Sequence, residues 1–589
     1  MMRTLGRTLR EFFRAAPAVA CAVLITAVLA GLEPFFSLRI LARLIDSLRY
    51  LPDGNWRPVV TAVVQLSLVR LAGMTALYAS TYLINRLRMT VGITINEQLM
   101  GRAAAAPLLD LETPAFHDRM QRAMAARLSM FTAVPMVATM ARSLVAVLSI
   151  LGVLAAQHPG AVLLILAGSA PAWLIQNRSA IAYNAMRKRQ APWRRRVSYL
   201  VSLLTGRPFA QEVRLFGLGG YVDNLYTAQI TEITTDQIQV ATKQSYLQVL
   251  ARTSGNLAYV GSLALLGSRA VAGLLSAGQF GVMIGALQQL QGTAATVMEI
   301  LGNLQQNMPA VTDIYAFLDE VPAGQSGQAV PAAAAAPVPV AFEGVSFQSP
   351  GARGETLQGI SFAVEPGEVV AIVGENGAGK STLVKLLLGL YQPASGQVVV
   401  DGRLVGAPEG GAIRPRIAAV FQEYLRYALK AGENIGVGEV ANMGDAPRIA
   451  RAAAASGAAA VMEALPAGYE TNLRREFFGG QELSGGQWQK MAIARAYMRE
   501  ASVLVLDEPT AALDPEAELE VFRQFRELTL GKTAFFISHR LGAARLADRI
   551  LVLKHGRLVE VGHHDELMAR DGECAALFRA QAHWYRPPA

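Results

Sequence analysis

Cysteine is nearly missing from this chain: Cys21 and Cys574 are the two in 589 residues. One lies in an apolar stretch and the other near the C-terminus, which excludes a disulfide framework and a zinc-ligand spacing. Charge is scarce too. Only 17% of residues are Asp, Glu, Lys or Arg against 52% hydrophobic, which excludes an ordinary soluble enzyme. The apolar excess lies in the first half, as a membrane domain joined to a soluble one requires, and the length exceeds what one hydrophobic core supports. A net charge of +9 would suit nucleic acid. The basic residues, however, sit between apolar spans and not in a patch interleaved with aromatics, so no nucleic-acid partner is expected.

Six stretches approach the ~20 apolar residues that cross a bilayer as a helix: roughly 18–38, 58–80, 132–156, 160–177, 253–275 and 280–302. The fourth is short and polar residues interrupt the last two. Arg3, Arg7, Arg10 and Arg14 precede the first, which has no convincing small-residue cleavage site, so a retained helix is expected rather than a signal peptide. The connection after the second span holds Arg86, Arg88, Arg102, Arg119, Arg122 and Arg127. The one after the fourth holds Arg187, Lys188, Arg189, Arg194, Arg195 and Arg196, whereas 157–159 and 277–279 are nearly uncharged. Lysine and arginine stay cytoplasmic, which predicts a multi-pass protein of a bacterial-type inner membrane with its N-terminus and its second half inside.

The two basic connections are alanine- and arginine-rich with few breakers, and are expected to continue the membrane helices into the cytosol. Each contains a break beside aromatics, at Thr113-Pro114-Ala115-Phe116 and at Gly206-Arg207-Pro208-Phe209, suited to a short helix that docks on another domain. Arg39 and Arg43 lie one turn apart after Glu33, and Arg70, Arg142, Arg252 and Glu299 also fall in or near apolar stretches. An ionised group facing lipid costs a few kcal/mol, so these should face a bundle interior, pair or snorkel. Glu299, with Gln288, Gln289, Gln291 and Asn303, is expected in a polar cavity; for Arg39 and Arg43 a cavity position and snorkelling to headgroups stay open. Residues 321–340, rich in Pro, Ala, Gly and Gln, read as a tether.

Beyond it, the buried-strand pattern Val369–Val373 runs into Gly374-Glu375-Asn376-Gly377-Ala378-Gly379-Lys380-Ser381-Thr382, followed by the apolar helix Leu383–Leu390. Strand, glycine loop and helix form a phosphate-binding loop. Gly374, Gly377 and Gly379 let backbone N–H groups approach phosphates, Asn376 and Thr382 belong to the same cradle, and the helix N-terminus adds partial positive charge. Lys380 is expected on the β/γ-phosphates and Ser381 on Mg²⁺. A second buried strand, Val503–Leu506, ends in Asp507 and Glu508; Asp507 is expected to hold Mg²⁺ and Glu508 to polarise the attacking water.

With Gln422 in Val420-Phe421-Gln422-Glu423, Leu483-Ser484-Gly485-Gly486-Gln487, Ala512-Leu513-Asp514 and His539 in Ile537-Ser538-His539-Arg540, residues 340 to 580 resemble the ATP-binding cassette (ABC) ATPases. The resemblance implies that Gln422 senses Mg²⁺ and the membrane contact. It implies further that Ser484, Gly485, Gly486 and Gln487 close over nucleotide held by the opposite subunit, that Asp514 sits in the D-loop and that His539 contacts the γ-phosphate. The membrane half resembles the six-helix exporter-type domain of the same family. The expected fold is therefore multidomain: an all-α six-helix transmembrane domain over 1–320, a linker over 321–340 and an α/β P-loop NTPase (ABC) domain over 341–589. One position departs from the family, which commonly places an adenine-stacking aromatic before the proline of the first strand's loop; here Ser349 precedes Pro350. Weak discrimination between ATP and GTP is the expectation.

Since one cassette's signature completes another's site, the resemblance implies half a transporter that uses ATP and Mg²⁺ and pairs with a second copy or a related half-transporter. Intact Lys380, Ser484, Asp507, Glu508 and His539 favour a homodimer. The leading expectation is ATP-driven export of an amphipathic small molecule, lipid or processed peptide by alternating access. Likeness to modified-peptide and multidrug exporters over 421–429 and 487–490 supports it, and no cysteine-protease domain stands ahead of the first span. An importer on the exporter fold, a non-transporting ABC ATPase and an ATP-gated channel are the rival readings.

Overall fold

The computed structural model describes residues 2–48, 54–155, 159–321, 336–406, 416–475, 479–507, 527–538 and 544–583. Most of the expected tether therefore lies outside the described residues. The chain divides into two compact units, Met1–Ala104 with Asp118–Pro322, and Ala105–His117 with Ala323–Ala589.

The first unit is built from helices. In chain order they are α1 (Met2–Ala15), α2 (Pro17–Ser47), α3 (Arg57–Ala105), then α4 (Leu108–Leu111) of the second unit, α5 (Pro114–Ala125), α6 (Arg127–Ala155), α7 (Pro159–Thr205), α8 (Ala210–Leu215), α9 (Gly219–Val271) and α10 (Ala277–Glu320). Among the described residues, four helical segments are long and apolar enough to cross a membrane: Pro17–Ser47, Arg57–Ala105, Pro114–Leu154 and Pro159–Thr205. The fifth and sixth expected spans fall within α9 and α10, of 53 and 44 residues. At 1.5 Å per residue α9 is about 80 Å long, well beyond a ~30 Å hydrocarbon core, so it continues far outside any bilayer.

Leu38, Ile150, Leu154, Ile165, Leu266, Met283 and Leu287 form one buried cluster joining α2, α6, α7, α9 and α10. The apolar window of α3 is only 6% buried and presents its side chains outward, as lipid or another helix bundle requires. Where α10 starts, Ser276 and Gln279 satisfy one another in a capping box, which supplies two of the orphan donors of a helix N-terminus.

The end of α10 is held by arginines. Arg7 of α1 donates twice to Asp319, at 2.6 and 2.8 Å; Arg119 pairs with Glu320 at 3.2 Å and Arg122 with Asp313 at 4.0 Å; and Arg102 donates to the Val321 carbonyl. Burial pushes the Asp313 carboxyl up, against the pull of Arg122. For Asp319 the hydrogen bonds from Arg7 dominate and hold it below its ordinary value.

The second unit contains two sheets. A four-stranded antiparallel sheet has the order β2-β1-β4-β5, with β1 Val340–Phe347, β2 Leu357–Val364, β4 Ser395–Val400 and β5 Arg403–Leu404. A six-stranded sheet has the order β10-β9-β3-β8-β7-β6, with β3 Val369–Gly374, β6 Ile417–Val420, β7 Val503–Asp507, β8 Thr533–Ile537, β9 Arg549–Lys554 and β10 Arg557–Gly562. All pairings in it are parallel except β10 with β9.

Period-two alternation explains why its strands read as unbroken apolar runs. Val370, Ile372, Val503, Val505, Phe535, Ile537, Leu551 and Leu553 point into one core, shared with the antiparallel sheet and the helix Lys380–Leu387, here α11. Ala371, Val373, Leu504, Leu506, Ala534, Phe536, Ile550 and Val552 point into a second core on the opposite face. With both faces covered, each Val, Leu, Ile or Phe among them contributes about 1.5–3 kcal/mol of burial. A third cluster, around Trp488, Met491 and Ile435, organises the helical part that carries α12 (Ala431–Gly436), α13 (Ala446–Ala455), α14 (Ala459–Glu463) and α15 (Gly485–Met498).

Candidate functional site

In a parallel sheet every strand ends at the same edge, which gathers residues that are far apart in sequence. Register puts Ile372 of β3, Ile537 of β8 and Asp507 of β7 in one row, with Leu506 and Val420 one step before on their own pair. The glycine loop, Asp507, the end of β8 and Gln422 thus all lie at one edge.

The loop leaves β3 at Gly374, whose φ is +151°, and continues through Gly377 at +81° and Gly379 at +100°, conformations that favour glycine. A Cβ on Gly374 would lie 2.2 Å from the Leu553 carbonyl oxygen, and one on Gly379 would lie 2.6 Å from Leu357 Cδ2. The third glycine also serves as N-cap of α11 without any side-chain cap, which leaves the first-turn amides available to a ligand. Lys380 is 6% exposed, and its Nζ donates to the carbonyls of Gly374 and Glu375 at 2.8 and 2.9 Å. The ammonium thereby closes the loop on itself.

Around this loop is a cavity of about 550 Å³. Asn376, Gly377, Gly379, Lys380, Ser381 and Thr382 line one side, with Gln422 and Thr356 completing it. Amides at a helix start, a buried ammonium and three hydroxyl side chains fit a polyphosphate. Ser381, exposed Gln422 and buried Asp507 supply the oxygen donors that Mg²⁺ prefers, with room for its waters. Glu508, Asp514 and His539, expected to complete the site, lie outside the described residues. No pattern in the sequence singled out Thr356; it reaches the cavity because β2 runs beside the loop.

Thr356 also explains what stands in place of an aromatic. Its Oγ1 lies 2.9 Å from Ser349 Oγ and accepts from the Ser349 amide at 3.2 Å. Phe347, two residues earlier, is 2% exposed and stacked on Tyr391 at 4.9 Å, so it is core. No aromatic lines the cavity among the described residues. Stacking of a base on an aromatic ring contributes ~1–3 kcal/mol. Wild-type kcat/KM for ATP and GTP should therefore agree within about tenfold, and Ser349→Tyr should tighten ATP about five- to a hundredfold, a range set by that stacking energy. A large ATP preference in the wild type, measured by phosphate release, would refute this.

Ser484 to Gln487 stand apart from that cavity. Ser484 is the N-cap of α15: its Oγ accepts from the Gln487 amide at 3.3 Å, and Gln487 Oε1 accepts from the Ser484 amide at 2.8 Å. Ser484 and Gly485 are exposed, so the amides at this helix start face outward. The helix is tied to the loop after Gln422. Tyr424 Oη donates to the Gly485 carbonyl at 2.9 Å, and Arg495 donates to the Leu425 and Asn434 carbonyls, both at 2.7 Å. Burial pulls the Arg495 guanidinium down to about 10. Movement of either Gln422's loop or the Ser484 helix thus carries the other.

Segment Ala105–His117 packs within this second unit. Leu108 and Leu109 rest on the core shared by the two sheets, and Glu112 accepts from Lys385 Nζ at 3.0 Å and from Tyr391 Oη. Burial pushes the Glu112 carboxyl up, but the two hydrogen bonds bring it below its ordinary value. Lys385 is on α11, the helix that begins with Lys380, so one rigid element links this segment to the glycine loop. The sequence anticipated a docking segment here, yet nothing in it identified Glu112 or Lys385 as partners.

Residues 357–511 match the ABC transporter family. Subtilin transport ATP-binding protein SpaT of Bacillus subtilis is 28% identical over 580 residues, 96% of this chain and 92% of that protein. Over residues 357–511 the chain carries an ABC transporter domain, and its similarity to a protein of that kind runs along nearly its whole length. An ATP-dependent lipid A-core flippase of Methylobacillus flagellatus is 36% identical over 378 residues, 63% of this chain and 62% of that protein. The solved structure of a bacterial Atm1-family ABC exporter with ATP bound shares the fold, at a TM-score of 0.82 and 22% identity, covering 98% of this chain and 100% of the other. This ABC transporter is a membrane protein whose ATPase hydrolyses ATP to drive transport, and the expected order of helical and α/β domains is the one observed.

Proposed function

We propose that this ABC transporter is half of an exporter that works as a dimer, most simply of two identical copies, and moves an amphipathic lipid or processed peptide out of the cytoplasm. The observation that carries the reading is the separation of two phosphate-ready surfaces in one chain. The cavity at Lys380 is lined by the glycine loop, Gln422 and Thr356 but by none of Ser484 to Gln487. The signature helix of a second copy would supply the missing wall. Exposed Leu215 and Phe216 in the second docking segment, 78% and 66% accessible, support such pairing, since apolar groups presented outside a bilayer call for a partner. Similarity along nearly the whole chain to a protein named for subtilin transport, and over part of it to a lipid A-core flippase, supports a cargo with apolar and polar faces.

In this reading ATP binds with Lys380 and the loop amides on its phosphates. The outward amides of Gly485 and Gly486, beside Ser484, close over it from the other copy, with Asp514 at the same junction. Mg²⁺, when bound, would be held by Ser381, Gln422 and Asp507 and would neutralise phosphate charge. Glu508 accepts a proton from the attacking water, and His539 contacts the terminal phosphate. Closure pulls on Gln422's loop and on α11, and through Glu112 the pull reaches segment 105–117 and the membrane helices.

Glu508→Gln should bind ATP and hold the ATPase units together while turning over at about 1% of wild type or less, the loss typical of removing a general base. Near-normal hydrolysis would overturn the assignment of the base. Direction is tested with inside-out vesicles, in which cargo that stimulates the ATPase should accumulate inside on addition of ATP. A loss of preloaded cargo from the lumen would point to import instead.

A further inference from the structure

Helix α1 has three distinct sides. The inner side is docked: Thr8 and Phe12 are 0% and 4% exposed, Tyr315 Oη donates to Thr8 Oγ1 at 3.3 Å, and Thr4 meets Thr312 at 3.0 Å. Arg7 lies over the Tyr315 ring at 4.3 Å while it grips Asp319. The outer side holds Arg3, Arg10 and Arg14, all exposed, which fall within about 40° of one another at 100° per residue. Between these two sides lies an apolar edge with Met2, 79% exposed, and Phe13, 39% exposed.

The charge on the outer side is lopsided. Arg14 reaches Glu11 at 3.2 Å, but among the described residues no ion pair engages Arg3 or Arg10. A single break at Ala16 separates α1 from α2, which starts at Pro17 and is one of the four segments able to cross a bilayer. The C-terminal end of α1 therefore meets the boundary between hydrocarbon and water. An apolar edge beside an arginine row in which Arg3 and Arg10 have no ion-pair partner among the described residues matches the chemistry of a lipid headgroup layer, acyl carbon next to phosphate.

We infer that the outer face of α1 binds anionic phospholipids of the bilayer, with Arg3 and Arg10 on headgroup phosphates and Met2 and Phe13 in the adjoining acyl region. Arg7 then carries the lipid contact to the end of α10, so the same helix that reads the membrane surface also braces the last helix before the ATPase domain. The inference rests on α2 spanning the membrane and is independent of the transported molecule, the direction of transport and the partner copy.

The test uses full-length protein titrated with phosphatidylglycerol or phosphatidylcholine and examined by native mass spectrometry. Wild type should retain phosphatidylglycerol in preference to phosphatidylcholine. Each arginine near an anionic surface is worth roughly a fivefold change in affinity, so R3Q/R10Q should weaken phosphatidylglycerol retention by at least about tenfold and leave phosphatidylcholine unchanged. R3K/R10K should retain most of the preference, and R187Q/R196Q, which alters a different basic segment, should behave as wild type. Excess inorganic phosphate should not displace the lipid; displacement would reassign the face to free anions and overturn the inference. Equal retention of the two lipids by wild type, or undiminished phosphatidylglycerol binding by R3Q/R10Q, would overturn it as well. Should R3Q/R10Q fail to accumulate, a salt series on wild type decides, since binding through arginines must fall as ionic strength rises.

Discussion

Lys380→Ala should lower ATP hydrolysis by at least about a hundredfold, since loss of one preorganised contact to a developing charge costs ~2.7–4 kcal/mol. Its ammonium is the sole cation among the described residues that line the cavity. It is also buried, with two loop carbonyls as its partners. A desolvated charge held by fixed dipoles interacts with phosphate far more strongly than one in water. The loop is already arranged around the ammonium, so little reorganisation is required when nucleotide arrives. Alanine removes the charge and leaves the Gly374 and Glu375 carbonyls without this donor, which also loosens the loop. Steady-state phosphate release and nucleotide titration of the purified transporter separate the two effects. Retention of more than about a tenth of wild-type turnover would contradict the placement of this charge at the reacting phosphate.

Gly374→Ala should unfold or badly distort the ATPase domain, at a cost of at least ~3 kcal/mol. The added Cβ would stand 2.2 Å from the Leu553 backbone oxygen and 3.2 Å from its carbonyl carbon. Leu553 belongs to β9, paired with β3 directly at Gly374, so relief requires these two neighbouring strands to separate. A positive φ of +151° adds strain for any L side chain. Gly377→Ala provides the contrast. Its φ is +81°, yet nothing lies within 4 Å of the added carbon, so the penalty is that of a left-handed residue alone, ~1–2 kcal/mol. Thermal unfolding of the two variants should rank them clearly, Gly374→Ala far below Gly377→Ala. Equal midpoints would mean that β3 and β9 adjust more freely than their pairing implies.

Local chemistry explains which parts of the site could be read along the chain. The strand-loop-helix from Val369 to Leu387 is contiguous, and each of its residues has a role that neighbours in sequence define. The same is true of α15, whose start is signalled by Ser484 and Gln487 three residues apart. Ser349 was conspicuous because a residue type was missing at a defined place. The membrane half was legible through apolar length, although α9 and α10 fall outside the four segments that length and hydropathy alone pick out among the described residues.

Thr356, by contrast, carried no signal. It enters the cavity because the start of β2 packs against the glycine loop at Gly379, and a threonine before a strand is ordinary. Glu112, Lys385 and Tyr391 are 273 and 279 residues apart along the glutamate's contacts. An acid and a base on helix surfaces pair in many ways, and sequence spacing says nothing about such distant choices. The arginines around the end of α10 come from α1, α3 and α5. Each looked like a topological marker, and several also serve as braces.

By itself the amino-acid sequence determined the order of domains, the phosphate loop, the helix that begins at Ser484 and the apolar spans, because each depends on periodicity or on residues within a few positions. The tertiary structure places the loop and the Ser484 helix on separate surfaces, the cavity being lined by none of Ser484 to Gln487. It alone joined α11 to segment 105–117 through Glu112, and α1 to the end of α10 through Arg7. These are contacts between distant segments, and their partners are selected by packing of the two cores and by burial of charge, neither of which leaves a pattern along the chain.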